Sequence, residues 1–251
     1  MSGERVLAVE HLSKAFDGVR AMRDVSFGVA AGELCALIGP NGAGKTTCFN
    51  CINGQLRPDS GRVWLAGVEV TGRAPRDMAL AGVGRTFQVA ATFASMSVRE
   101  NVEIALLSHA GLAEAYLGRG SGTRRAQADA LLERAGITTL ADRHCGALPY
   151  GDAKRVELAL ALAGNPKLLL MDEPTAGMAQ AERSALMATA AELARRDRVA
   201  VLFTEHDMDV VFGHADRIVV LDRGRVIADA SPEVVRADAN VQAVYLGTPA
   251  A

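Results

Sequence analysis

The sequence predicts an α/β protein with a largely parallel sheet built around an anion-binding loop. Three stretches carry this reading. A glycine-rich loop at residues 39–47 follows an apolar strand and opens a helix. An apolar run, Leu168–Met171, ends in Asp172-Glu173, and a further apolar strand, Val199–Phe203, closes on Thr204-Glu205-His206. Strands that are apolar without interruption belong to sheets covered on both faces, which is the usual condition of parallel strands.

The loop reads Gly39-Pro40-Asn41-Gly42-Ala43-Gly44-Lys45-Thr46-Thr47 and fits G-x-x-x-x-G-K-[ST], a pattern that cradles nucleotide phosphates. Glycines without a Cβ let the chain turn tightly and aim successive N–H groups at one anion. The helix opening near Lys45 adds its N-terminal amides and dipole. Lys45 is expected to reach the β/γ-phosphates, and the Thr46 hydroxyl to ligate Mg²⁺. Leu34–Ile38 is the buried strand that feeds the loop.

Strands are expected over Arg5–Val9 and Val25–Val29, with Asp17-Gly18 marking a turn between them. Phe16, just before that turn, is either a core residue or a face on which a nucleobase stacks. Gly61–Val70 reads as one further strand, with Val63 and Leu65 on one face and Trp64 on the other. The N-terminal part is therefore expected to be antiparallel and to flank the strand feeding the loop. Val83–Phe87 reads as a short strand ending at Gln88, which is either solvated or a water-orienting neutral ligand near the phosphates.

Residues 97–163 change character to helix. Val98, Val102, Ala105 and Leu106 make one apolar stripe, and Ala128, Leu131, Leu132 and Ala135 another, ended by Gly136. Gly118–Arg125 is expected to be a loop. Leu148-Pro149-Tyr150-Gly151-Asp152 precedes a helix over Ala153–Ala163, and a glycine before a helix start is a second potential phosphate site.

Beyond that point lie the strand-terminal acids. Asp172 fits a position behind Mg²⁺, and Glu173 one from which a water can be polarised as by a general base. His206 ends a strand on the edge where open α/β sheets carry their ligands, so a γ-phosphate contact is expected. Ile218–Leu221 and Arg225–Ala228 read as a hairpin across Asp222-Arg223-Gly224, and Ser231-Pro232 as the start of a last helix.

Composition bounds the remaining classes. With 251 residues, 49% of them hydrophobic, the chain can bury a substantial core, and a net charge of −2 supplies no global field for nucleic acid or anionic lipid. Met1–Arg5 lacks the basic start and apolar core of a secretory signal. No apolar run approaches the roughly 20 residues that span a bilayer. The cysteines Cys35, Cys48, Cys51 and Cys145 suggest a reducing compartment. Cys48 and Cys51 spell C-x-x-C on the helix after the loop, where two small packed residues are expected rather than a redox or zinc site.

Taken together and in this order, the motifs resemble the ATP-binding subunits of ABC transporters over essentially the whole chain, residues 4–247. The resemblance implies a P-loop NTPase (RecA-like) core with an antiparallel β part, residues 4–88 and 164–247, and an inserted helical subdomain, 89–163. It assigns Gly39–Thr47 as Walker A, Gln88 as the Q-loop glutamine and Mg²⁺ ligand, Leu148–Asp152 as the signature, Leu168–Asp172 as Walker B, Glu173 as catalytic base and His206 as switch histidine. Phe16 matches the adenine-stacking aromatic.

Two departures stand out. In the signature, Pro149, Tyr150 and Asp152 replace serine, glycine and glutamine, so the contact to nucleotide falls on Gly151 and the helix start. In the loop after Walker B the usual aspartate is Ala179. Both resemble the branch that imports branched-chain amino acids, amides or urea, as do Gly84–Gln88, Tyr150-Gly151, Ala176-Gly177 and Val244–Gly247; lipopolysaccharide-export ATPases are near relatives.

The implied activity is ATP hydrolysis with Mg²⁺, coupled to transport. The implied partners are a second ATPase subunit, identical or similar, membrane permease subunits contacted through Val89–Met96, and indirectly an external substrate-binding protein, with no nucleic acid. The implied place is peripheral, on the cytoplasmic face of the inner membrane. A soluble ABC ATPase acting on ribosomes or DNA is the alternative from another class; it would usually carry a second cassette or a basic insertion, and neither is present.

Overall fold

The computed structural model describes residues 4–86, 92–110 and 121–246. Strands β1 (Arg5–Phe16) and β2 (Val19–Ala30) form one long hairpin, and the expected strands are the ends of these that lie farthest from its turn. Asp17 and Gly18 make its turn with φ of 45° and 86°, the left-handed pair that suits the twist of a two-residue hairpin. The single strand expected over 61–70 is instead a second hairpin, β4 (Ser60–Leu65) and β5 (Val68–Glu69). Ala66 and Gly67 reverse the chain there with φ of 47° and 79°. Alternating burial had hidden this turn, because Ala66 is no turn signal in sequence. The four strands form one sheet in the order β2-β1-β4-β5.

The second sheet holds β3 (Leu34–Ile38), β6 (Val83–Arg85), β7 (Leu168–Asp172), β8 (Ala200–Thr204), β9 (Arg217–Asp222) and β10 (Arg225–Ala230), in the order β10-β9-β3-β8-β7-β6. All neighbours are parallel except the β9/β10 hairpin. The antiparallel strands therefore do not flank β3 within its sheet; they cover one face of it. Side-chain alternation divides the core accordingly. Cys35, Leu37, Leu168, Leu170, Ala200 and Leu202 join Leu7, Val9, Val25 and Val63 of the antiparallel sheet. Phe49 and Ile52 of α1 (Lys45–Ile52) and Met78 of α2 (Pro75–Ala81), a helix not read in the sequence, complete that layer.

Leu34, Ala36, Ile38, Leu169, Met171, Val201 and Phe203 point to the other face. They meet Leu186, Met187 and Ala190 of α6 (Gln180–Asp197), Val211 of α7 (Met208–His214) and Val235 of α8 (Pro232–Ala237), with α9 (Ala239–Leu246) beyond. Each such fully buried aliphatic side chain contributes about 1.5–3 kcal/mol. Ser231 sits at the N-cap of α8, yet its side chain makes no capping bond.

Helices α3 (Val98–Ala110), α4 (Ser121–Arg134) and α5 (Tyr150–Leu162) pack on one another. Val98 and Val102, and Ala128, Leu131, Leu132 and Ala135, are buried as the stripes predict, whereas Ala105 and Leu106 are half-buried. Gly136 ends the second stripe with φ of 68°. The expected loop over 118–125 is wrong from Ser121 onward, where the chain is already helical. Gly and Ser at a helix start are poor local signals, and the packing of the following turns overrides them. Helix α5 likewise begins at Tyr150, three residues earlier than expected, because Pro149 at its N-cap needs no N–H partner. Among the described residues no helix is long and apolar enough to cross a membrane.

Candidate active site

Strands β3, β7 and β8 run parallel and side by side, so Gly39, Glu173 and Glu205 all leave the sheet at one edge. Two glycines of the loop have no substitute. Gly39 has φ of 155°, and a Cβ there would lie 2.2 Å from the Leu221 carbonyl oxygen and 2.9 Å from Ala43 Cβ. Gly44 has φ of 105°, and its Cβ would meet the Ala21 carbonyl oxygen at 2.5 Å. The loop is thereby pressed between β9 and β2, with Ala43 buried and Pro40, Asn41 and Gly42 on the outside.

Lys45 is only 8% exposed, and its Nζ donates to the carbonyls of Gly39 at 2.7 Å and Pro40 at 3.2 Å. Burial pulls its pKa below the ordinary lysine value, while the nearby Glu173 and Asp172 carboxylates push it back up. A cation is thus held over the loop with both acids in electrostatic reach. Thr46 is exposed and Thr47 half-buried at the first turn of α1.

Asp172 ends β7 almost wholly buried. Its Oδ1 accepts from Thr204 Oγ1 at 2.7 Å, and Arg85 of β6 stands 3.6 Å from Oδ2. Glu173 follows with φ of 49°, a left-handed conformation that costs a side-chain-bearing residue about 1–2 kcal/mol. Its amide donates to both the carbonyl and Oγ1 of Thr204, each at 3.1 Å. Its Oε1 lies 2.9 Å from His206 Nε2. The structure therefore gathers Lys45, Asp172, Glu173 and His206, all named from the sequence, into one cluster.

It also supplies residues that sequence reading passed over. Thr204 looks in sequence like the polar end of a strand, yet it bonds both acids' segments. Glu205, 4% exposed, accepts from the amide and hydroxyl of Thr175 at 2.8 and 2.7 Å and from the His206 amide at 3.3 Å. Arg85 donates to Gln55 at 2.8 Å as well as facing Asp172, and burial lowers its pKa against that carboxylate's pull. Only the register of β6, β7 and β8 brings these side chains together.

The remaining expected site residues come from other segments of the chain. Gln88 and the stretch Val89–Ala91 fall outside the described residues. Phe16 is 42% exposed at the tip of the first hairpin, with Lys14 Nζ 5.6 Å from its ring centroid, so its ring is not part of the core. Gly151 stands after Pro149 and Tyr150 at the start of α5. It is buried in the first turn of α5, where a Cβ would lie 2.8 Å from the Glu182 carboxyl. Tyr150 beside it is half exposed and approaches Gly177. Ala179 starts α6 without a side-chain cap; Glu182 compensates by accepting from the Ala179 amide at 3.2 Å. Cys48 and Cys51 are buried free thiols whose pKa values burial raises, which makes them poor thiolates.

A phosphate loop backed by two strand-terminal acids and a histidine defines a nucleotide-binding cassette, and comparison with known proteins agrees. The family described as "ABC transporter" matches residues 22–176, and the chain belongs to it as an ATP-binding cassette. A second family, "Branched-chain amino acid ATP-binding cassette transporter", matches residues 225–251. The chain is 38% identical over 250 residues to the high-affinity branched-chain amino acid transport ATP-binding protein LivG of Salmonella typhimurium, covering 96% of this chain and 98% of that one. It is 34% identical over 242 residues to the lipopolysaccharide export system ATP-binding protein LptB of Haemophilus influenzae, covering 96% and 97%. Among solved structures, an ABC-transporter cassette in its ADP conformation matches with a TM-score of 0.85 at 31% identity, covering 97% and 99%. A dimeric cassette bound to ADP and phosphate matches at 0.74 and 26%, covering 90% and 98%.

Proposed function

We propose that this chain is the ATPase of an importer for branched-chain amino acids or closely related small polar solutes, driving separate permease subunits. The observation that carries the chemistry is the 2.9 Å contact of Glu173 with His206, beside Asp172 and within electrostatic reach of Lys45. The cargo reading draws on the match of residues 225–251 and the identity to LivG, which exceeds that to LptB.

In hydrolysis a water oxygen bonds to the γ-phosphorus, its proton passes to Glu173, and the bond to ADP breaks with its electron pair on the departing β-phosphate oxygen. Phosphoryl transfer needs little covalent help from protein, so the work is positioning and charge. Lys45 offsets γ-phosphate charge. With its proton on Nε2, His206 donates to Glu173 and holds the carboxylate beside the water. The site donors suit magnesium, since Thr46 and Asp172 offer hard oxygens. Among the described residues no group of three or more His, Cys, Asp and Glu is arranged to hold a metal ion by itself, so most ligands would come from phosphate and water. Bound there, magnesium would neutralise phosphate charge.

Tyr150 is half exposed at the first residue of α5, which favours the reading that this helix start serves the nucleotide of a second ATPase subunit. Residues 89–163 would then move as the inserted helical unit, and the protein would sit peripherally on the cytoplasmic face of the inner membrane. A substrate-binding protein would act on the far side, and Gln88 would orient water or magnesium.

Glu173→Gln should retain ATP binding while hydrolysis falls by about 10²-fold or more. Hydrolysis at the wild-type rate would remove Glu173 from its role. Uptake of radiolabelled leucine into cells lacking the gene, restored by the wild type and not by Lys45→Ala, tests the cargo.

A further inference from the structure

We propose that Glu205 is a positioning residue for hydrolysis: its carboxylate latches Thr175 and so holds Glu173 and His206 in their working arrangement. The proposal rests on the ATPase reading above.

The two loops that leave β7 and β8 are joined by successive rungs. Thr204 Oγ1 meets Asp172 Oδ1 at 2.7 Å, and Glu173 Oε1 meets His206 Nε2 at 2.9 Å. Beyond these, Thr175 donates to Glu205 Oε1 through both its amide, 2.8 Å, and its hydroxyl, 2.7 Å. Oε2 of the same carboxylate accepts from the His206 amide at 3.3 Å. Each loop thus sends one carboxylate to the other, and the path Glu173–Pro174–Thr175–Glu205–His206–Glu173 closes into a ring. Arg183 repeats the link further out, donating from Nε to the Met178 carbonyl at 2.7 Å and pairing with Asp207.

Three physical features make the latch more than packing. Glu205 is 4% and Thr175 1% exposed, so the carboxylate is held in a desolvated place by a hydroxyl and two amides, an arrangement that loses much if any donor is removed. Glu173 sits at φ of 49°, a conformation that persists only where the surroundings enforce it. Pro174, with its ring-fixed φ, leaves little slack between Glu173 and the anchored Thr175. Release of Thr175 would let Glu173 relax toward negative φ and carry its carboxylate away from His206.

The test is steady-state hydrolysis of MgATP by the purified protein, with whatever partner subunit it requires, for wild type, Glu205→Ala, Thr175→Val and Thr175→Ser. Thr175→Val keeps the volume and the amide bond but deletes the hydroxyl rung. Glu205→Ala and Thr175→Val should lower kcat by about tenfold or more with KM for ATP within about threefold, the split expected when geometry rather than binding is lost. Thr175→Ser should recover most of kcat, which a purely volumetric role would not predict. The double variant should be no slower than the worse single one. Thermal melts accompany each; should Glu205→Ala not fold, Thr175→Val decides. A folded Thr175→Val with wild-type kcat would overturn the latch, as would a KM rising as far as kcat falls. Absence of hydrolysis in the wild type would overturn the ATPase reading and the latch with it, and is seen before any variant is compared.

Discussion

Thr204 Oγ1 lies 2.7 Å from Asp172 Oδ1 and 3.1 Å from the Glu173 amide, so one hydroxyl at the end of β8 fixes both acids at the end of β7. Asp172 and Thr204 are register partners across that parallel pair. Removing the hydroxyl while keeping the volume isolates its contribution. Thr204→Val should cost about 1–3 kcal/mol in urea unfolding, because the buried Asp172 loses a donor. Thr204→Ser should cost less, and ATPase activity should fall in the same order.

The loop glycines should not be equivalent. Gly39→Ala would place a methyl 2.2 Å from the Leu221 carbonyl oxygen, whereas Gly42, with φ of 80°, has nothing within 4 Å of a Cβ. Gly42→Ala should therefore lose only the left-handed backbone penalty, about 1–2 kcal/mol. Gly39→Ala must displace the loop and should abolish nucleotide binding, measured by equilibrium dialysis with labelled ATP.

Phe16 offers a separation of binding from stability. Its ring is 42% exposed, so Phe16→Ala should change unfolding free energy by less than about 0.5 kcal/mol. If it stacks on adenine, affinity for ATP should drop about tenfold, in keeping with about 1–3 kcal/mol per stacked base, and Phe16→Tyr should retain it. Equal affinities of Phe16→Ala and wild type would remove Phe16 from the site.

The thiols should be silent in the native protein. Cys35, Cys48, Cys51 and Cys145 are all buried, and the Cys51 thiol is pushed up to about 11. Thiol-specific dye at neutral pH should label native protein slowly and label it fully in urea. Rapid native labelling at Cys48 or Cys51 would mean that α1 is not packed as described.

Much of this protein was determined by its sequence alone, where short-range patterns suffice. Glycine spacing and Lys45-Thr46 declare the phosphate loop, and unbroken apolar runs declare β3, β7 and β8, because backbone geometry and burial act on consecutive residues. Glu173 and His206 were legible for the same reason, each standing at a strand end. Where the signal is local but ambiguous the reading failed: Ala66-Gly67 hides a turn inside an alternating pattern, and Ser121–Arg125 hides a helix start. What only the tertiary structure decided is which strand ends meet. The order β3-β8-β7-β6 brings residues 30 or more apart in sequence, Thr204 with Asp172 and Glu205 with Thr175, to within hydrogen-bond distance. Tertiary packing likewise sets Gly151 against the Glu182 carboxyl. Pairing across a sheet is set by the packing of whole layers, and no local pattern of residues encodes it.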